Sequence, residues 1–407
     1  MQTLNVQCCI AGGGPAGMML GYLLARAGVT TVVMEKHPDF LRDFRGDTVH
    51  PSTLRIMQEL GLLQDFLELP HSEIRAFSAD IADQGFKIAD FARLPAPCDF
   101  IALMPQWDFL NFLKEKGSRF PKLTVMMSTE VTDLITTEEC VTGVKATGPE
   151  GAFDVHADLV VGCDGRASAI RKKAALQVQD LGAPIDVLWF RLSKKNTDPV
   201  SVFGHLGGGK MIVTIDRTEY WQCAYVIGKG GITSIHAEGI DAFKRAVAQG
   251  VRFLADRVDE LKSFDDVKLL SVSVDRLITW SKPGLLCIGD AAHAMSPVGG
   301  VGINLAIQDA VAAANLLAAK LKMGTVTAHD LGRVQKRRLF PVKVIQTLQV
   351  AIHNRVLKPV IVGRGRELQV PLAIKLLDKS AWLRQWPAKL LGLGVRQEHV
   401  RSPEVHS

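Results

Sequence analysis

The hydrophobic pattern of this chain changes period several times. Residues 6–12, VQCCIAG, form a short apolar run of the kind that a parallel strand buried on both faces requires. PAGMMLGYLLARAG (15–28) takes up a helical period, with Pro15 in the first turn and Gly28 past the end. TTVVMEK (30–36) predicts a second strand that ends at Glu35. Further helices are predicted over 51–67 and 106–120, and short alternating strands over 122–162. From 185 to 230 the period is two, in DVLWFRL, KMIVTID and YWQCAYVIG, split by polar or glycine-rich turns. DAFKRAVAQGVRFLADRVDELK (241–262) returns to helix and LLSVSVDRLITW is mixed strand. GLLCIGD (284–290) is another buried strand, and nearly everything after 303 is helical. A βαβ beginning that resumes after a β-rich middle predicts an α/β protein of two interleaved domains. The nucleotide-binding domain would take 1–75, 100–180 and 269–330, the β-rich domain 76–99 and 181–268, and a C-terminal helical region 331–407.

Composition narrows the class without changing that plan. The 407 residues are 47% hydrophobic and 22% charged, an ordinary globular balance. No run approaches the roughly 18 apolar residues of a membrane span. The start lacks a signal-peptide pattern, and seven cysteines without a CxxC pair fit reduced thiols in a cytoplasmic compartment. Net charge is +6, but residues 330–407 hold 15 Lys/Arg against 5 Asp/Glu, so that stretch carries +10 and the remainder −4. No nucleic-acid-binding motif accompanies the charge. The tail segments LFPVKVIQTLQVAIHNRVLKPVIVG and AWLRQWPAKLLGLG mix apolar with basic residues. Core packing or a dimer interface is the favoured reading, and a membrane-contacting face the competing one. A monomer and a homodimer both remain open.

The first glycine turn carries chemistry. GGGPAG fits G-x-G-x-x-G, with Gly12, Gly14 and Gly17 in the three positions and Ala16 in the same turn. Unpaired N–H groups and the helix dipole at such a turn hold phosphates. Glu35, at the end of the next strand, is placed to accept the ribose hydroxyls of an adenosine, and Lys36 either flanks that ribose or is solvated. This unit alone does not separate FAD from NAD. No second G-x-G-x-x-G follows a strand, and no cluster with metal-ligand spacing is present.

Two further stretches narrow the choice: LVVGCDGRASAIRK (159–172) and GDAAHAMSPVGGVGIN (289–304). They resemble the DG and GD motifs of the flavoprotein monooxygenases. With the first turn they make the chain, over about residues 5–345, similar to single-component FAD-dependent aromatic hydroxylases of the p-hydroxybenzoate hydroxylase type. The resemblance implies a Rossmann-like FAD domain interleaved with a β-sheet substrate domain. It also implies that NADH or NADPH reduces the flavin transiently, and that O2 gives a C4a-hydroperoxide that hydroxylates an aromatic, phenolic or quinone-like substrate. By the same resemblance Asp290 takes the ribityl chain, and Pro297 and Gly300 belong to the loop beneath the ring. The N–H groups around Gly302, Ile303 and Asn304 would face the flavin N1–C2=O edge. Arg45 and Gly46 line the flavin, Gln106 reaches the phosphate and ribityl region, and Val131 meets the adenine. Asp164 and Arg166 serve both nucleotides, and Gly165 between them is a cofactor contact.

Strand alternation offers Trp189, Arg191, Phe203, His205, Met211 and Tyr225 as inward substrate contacts. His50 is a candidate base for a phenolic substrate or a supporting residue, and His293 reads as a buried, hydrogen-bonded histidine. A reductase of isoprenoid chains shares the early motifs and remains an alternative. A flavin-dependent halogenase is disfavoured because its WxWxIP motif is absent.

Overall fold

In the computed structural model, which describes residues 3–41, 48–81, 84–199, 204–217, 219–362 and 370–405, strand Thr3–Ala11 lies between two parallel neighbours. Gly151–Gly162 pairs on one side and Thr31–Met34 on the other, and Leu285–Cys287 and Leu123–Met126 extend the parallel set. Cys8, Cys9 and Ile10 expose no surface, because helices and neighbouring strands cover both faces, and so the run is apolar without alternation. The register sets Ala11 beside both Gly162 and Met34, and Gly162 beside Cys287. Four marked turns therefore leave one carboxyl edge of the sheet: Gly12–Gly14, Glu35, Asp164 and Asp290. Open α/β sheets bind ligands at that edge.

Helix Gly302–Lys322 departs from the same edge and packs on helix Pro15–Arg26. The segment 298–322 is long and apolar enough to cross a membrane, yet 78% of its apolar window is buried inside the protein. It is a core helix.

The second sheet has seven strands, in the order Lys268–Leu270, Ile185–Ser193, Tyr220–Gly228, Lys210–Asp216, Gly204–Gly207, Ala76–Ile81 and Gln84–Asp90. All neighbours are antiparallel except Gly204–Gly207 with Ala76–Ile81. One face packs on helix Ile240–Gly250 through Leu188, Phe190, Ile212, Phe243 and Val247. The other face presents Val187, Trp189, Ile215, Ala224 and Val226.

The helix expected over 241–262 ends at Gly250 and continues as 3-10 turns. Two contacts account for this. A Cβ on Gly250 would sit 2.6 Å from the Ile212 side chain, so the chain closes onto the sheet there. Beyond it, the buried Arg257 turns to grip both oxygens of Asp198 at 2.8 Å.

The tail is stitched across the first domain. Helix Ala328–Ile352 buries Arg338, whose Nε donates to Asp309 of the core helix at 2.9 Å. Glu398 bonds Arg337 and, through its N–H, Gln308. Arg26 pairs with Glu404.

Candidate active site

A single cavity of about 1410 Å³ runs from the carboxyl edge of the parallel sheet to the inner face of the second sheet. That exceeds the roughly 300–1,000 Å³ of an ordinary small-ligand pocket, and leaves room for an extended dinucleotide and a second molecule.

At the first end the walls are backbone. Gly12 has φ of +106°, and a Cβ there would lie 2.5 Å from the Cys163 carbonyl oxygen. A Cβ on Gly17 would lie 2.0 Å from the Gly12 carbonyl oxygen, so Gly17 is held by packing and does not line the cavity. A Cβ on Gly14 would meet nothing within 4 Å. Gly14 precedes helix Pro15–Arg26 without a side-chain cap, so the helix N-terminus opens on the cavity beside Ala16. Glu35 and Lys36 line the same end, and the Glu35 carboxylate accepts from the N–H groups of Gly13 (3.0 Å) and His37 (3.1 Å). Val131 lines this end, and Gln106 begins the helix Gln106–Gly117 at the wall.

The middle is ionic. Asp164 uses Oδ2 to accept from Ile170 N–H at 3.1 Å, and Arg166 Nη2 meets Asp290 Oδ2 at 3.2 Å. Arg171, paired with Asp275 at 3.1 Å, also donates to the Arg166 carbonyl and so fixes that turn. Gly165 lines the cavity between them. The buried atoms Asp164 Oδ1 and Arg166 Nη1 have no hydrogen-bond partner among the described residues. Buried polar atoms are rarely left unpaired, so these two point to a polar ligand. The uncapped turn, the orphaned pair and the Glu35 carboxylate together fit FAD.

The loop after Asp290 is clamped from behind. His293 Nε2 meets Asp309 at 2.5 Å, and the Gly289 N–H donates to the same carboxylate at 3.1 Å. Burial pushes the Asp309 carboxyl up, but His293 and Arg338 hold it below the usual range. Pro297, Gly300, Gly302 and Ile303 line the cavity; a Cβ on Gly300 would sit 2.3 Å from Thr48 Oγ1. Helix Gly302–Lys322 begins there without a side-chain cap, so its positive dipole end faces the cavity. Asn304 does not line it. Its side chain is committed to the Thr48 and Gly300 carbonyls, the His50 N–H and the Thr53 hydroxyl, which fastens two loops together.

The second end is apolar. Ile185, Val187, Trp189, Met211, Val213, Ile215, Ala224 and Val226 project from the sheet, with Phe77 and Ile88 beside them. Its polar contributions from the tail are Asn354, Arg355 and Lys358, all exposed at the rim. Of the residues expected here by alternation, Trp189 and Met211 line the lobe. Tyr225 does not: it pairs with Leu188 in the register, stands on the helix-covered face and packs on Phe243 at 5.4 Å, where burial pushes its hydroxyl up to about 12. His205 likewise pairs with Ile212 on that far face, beside Phe253 and Thr214. Arg191 has the right parity but lies past the end of the lobe, exposed, with its guanidinium over the Tyr220 ring. Phe203, Arg45 and Gly46 fall outside the described residues.

His50 also turns away from the cavity. It precedes helix Pro51–Glu59, is wholly buried, and its Nδ1 donates to the Leu391 carbonyl at 2.7 Å. Burial drives its pKa down to about 4 against the pull of that carbonyl. The sequence reading missed Ala224 and Val226, which join the face of Trp189 through the cross-strand register, Trp189 opposite Ala224 and Val187 opposite Val226. It also missed Arg355 and Lys358, for which the sequence pattern carries no signal.

The comparisons agree with this geometry. Residues 5–347 match the FAD binding domain family. A 6-methylpretetramide 4-monooxygenase of Streptomyces rimosus is 33% identical over 336 residues, covering 82% of this chain and 80% of that protein. A dialkyldecalin synthase of Streptomyces rugosporus is 27% identical over 320 residues, 74% of this chain and 63% of its own length, so this chain spans under two thirds of that relative. The anhydrotetracycline hydroxylase OxyS of Streptomyces rimosus has the same fold, with a TM-score of 0.75 and 21% identity over 96% of this chain and 76% of that one. The chain belongs to the FAD-binding domain family and is a class A FAD-dependent monooxygenase of the aromatic hydroxylase type.

Proposed function

We propose that this protein hydroxylates an acidic, fused-ring aromatic compound of polyketide type, with NADH or NADPH as electron donor and O2 as oxygen source. One observation carries the reading. The nucleotide cradle opens without a break into a sheet-walled apolar lobe, and that lobe is rimmed by the cations Arg355 and Lys358. A flat apolar molecule fills such a lobe, and an ionised phenol or enol on it would meet the rim cations. The resemblance to the 6-methylpretetramide 4-monooxygenase supports the substrate class.

Each part of the chain has a task. The first turn and Glu35 would hold the adenosine diphosphate end, and Asp290 with Arg166 the polyol between. FAD, when bound, supplies the hydride acceptance and the activation of oxygen. The dipole end of helix Gly302–Lys322 favours negative charge at the cavity floor. The apolar walls exclude water from the reacting centre. Neither His50 nor Tyr225 reaches the lobe, so ionisation falls to the substrate's own acidity and to the rim cations.

The test is substrate-stimulated oxidation of NAD(P)H by the flavin-loaded protein across tricyclic and tetracyclic phenols. The expected product gains one oxygen atom with matching oxygen uptake. Conversion without oxygen uptake, such as a cyclisation, would overturn the proposal.

A further inference from the structure

Near the C-terminus four large apolar side chains stand exposed within fifteen residues: Leu372 (72%), Leu376 (49%), Trp382 (62%) and Trp386 (62%). The stretch is pinned from beneath. The Lys87 N–H donates to Asp378 Oδ1 at 3.0 Å, and the Asp90 N–H to the Arg384 carbonyl at 3.4 Å. The Arg384 guanidinium donates to the carbonyls of Leu377 and Asp378. Helices Leu372–Lys379 and Gln385–Gly392 therefore lie across the strand Gln84–Asp90 with one side outward.

That outward side is patterned. Leu372, Lys375, Leu376 and Lys379 fall at i, i+3, i+4 and i+7, one face of a helix. Trp382 and Trp386 meet edge to face at 6.2 Å, with the Lys389 ammonium 5.9 Å from the Trp386 centroid. The one acid on the first helix, Asp378, is turned inward onto the Lys87 N–H. Pro371 and Ile374 line the apolar lobe on the inner side.

We propose that this face docks on an anionic lipid bilayer. Exposed apolar side chains gathered in one place mark an interaction surface, and the charge around them selects its partner. A two-fold contact with a second copy would set the same patch against itself, lysine facing lysine. An anionic headgroup layer neutralises the lysines while tryptophan and leucine enter the interface, the depth at which amphipathic rings are most stable. The surrounding stretch, residues 330–407, carries +10. A wall of the apolar lobe thereby becomes the membrane side of the protein, which suits a lipophilic substrate. That consequence rests on the proposed function, whereas the docking itself does not.

Co-sedimentation of the flavin-loaded, full-length protein with vesicles tests the docking. Equimolar phosphatidylcholine and phosphatidylglycerol should pellet the protein at low salt, and molar salt should release it. Vesicles of phosphatidylcholine alone should bind on the order of a hundredfold more weakly, from three lysines. Two variants, Trp382→Ser with Trp386→Ser and Lys375→Glu with Lys379→Glu, should each lose pelleting while keeping bound flavin and the melting temperature. No pelleting with the anionic vesicles overturns the proposal, including a case where the tryptophans instead mediate self-association. Equal pelleting of the wild type and both variants also overturns it, because another surface is then responsible.

Discussion

The two ends of the cavity are built in different ways. At the nucleotide end a glycine-rich backbone forms much of the wall beside the Glu35, Arg166 and Asp290 side chains, and glycines at Gly12, Gly17 and Gly300 are demanded by neighbours that leave no room for a Cβ. At the substrate end the contacting groups are side chains on alternate positions of a sheet whose far face is independently packed. The first construction fixes one ligand and tolerates almost no change. The second allows the occupant to change residue by residue without disturbing the fold. Substitutions at the two ends should therefore fail differently.

The largest effect is expected at Gly12. Gly12→Ala forces a side chain into a left-handed φ against the Cys163 carbonyl, which costs about 3 kcal/mol and distorts the turn. Flavin binding and thermal stability should fall together, read from the ratio of flavin to protein absorbance and from the melting curve. Gly14→Ala separates the two. Its backbone is ordinary (φ −72°) and its Cβ meets no protein atom, so stability should hold while FAD affinity drops about tenfold. Unchanged FAD affinity in Gly14→Ala would refute the cradle.

At the other end Ala224→Phe places a ring in the lobe opposite Trp189. Flavin content should stay at the wild-type level while kcat/KM for a fused-ring substrate falls on the order of a hundredfold. Its neighbour provides the control: Tyr225→Phe lies on the helix-covered face and should leave kcat/KM within about twofold. If the two variants behaved alike, the assignment of faces would be wrong.

This parity shows how much of the molecule was legible in the sequence. The parallel sheet could be read because a strand buried on both faces must be apolar throughout, and its turns must be rich in glycine where backbone meets ligand. The lobe could be read only by halves. An alternating strand reveals two faces without saying which is inward when both are covered, so Trp189 and Tyr225 looked equivalent. Leu188, Phe190 and Ile212 are as apolar as the residues of the cavity face, since helix Ile240–Gly250 buries them. Arg355 and Lys358 reach the rim from a helix far along the chain, a tertiary placement that local periodicity does not encode.

Those rim cations give the next effect in size. Arg355→Ala with Lys358→Ala should raise KM for an ionised substrate about tenfold, with kcat within about twofold, because exposed charges guide and hold without entering the chemistry. The difference from wild type should shrink as salt is added. A neutral analogue of the same ring system should show no difference at any salt concentration.

The smallest effect on turnover is expected at His50, where the chemistry looked most inviting in the sequence. Its Nδ1 donates to the Leu391 carbonyl, which leaves Nε2 without a proton, and burial holds the folded pKa near 4, below the ordinary 6.5. The unfolded chain therefore binds more protons than the folded one between those values, and this histidine's contribution to stability is lost as pH falls from 6.5 toward 4. Between about pH 7 and pH 5 the loss amounts to about 2 kcal/mol. His50→Gln should flatten that acid limb in denaturant titrations, and burial of His205 and His353, whose pKa values are also lowered, should preserve the remaining slope. The pH profile of kcat/KM above 6.5 should overlay that of the wild type. Removal of a base acting on substrate would instead lower kcat/KM throughout that range. The ring is shut behind Asn304 and Leu391 on the far side of the glycine loop, so its protonation reaches the fold and stops short of the reaction.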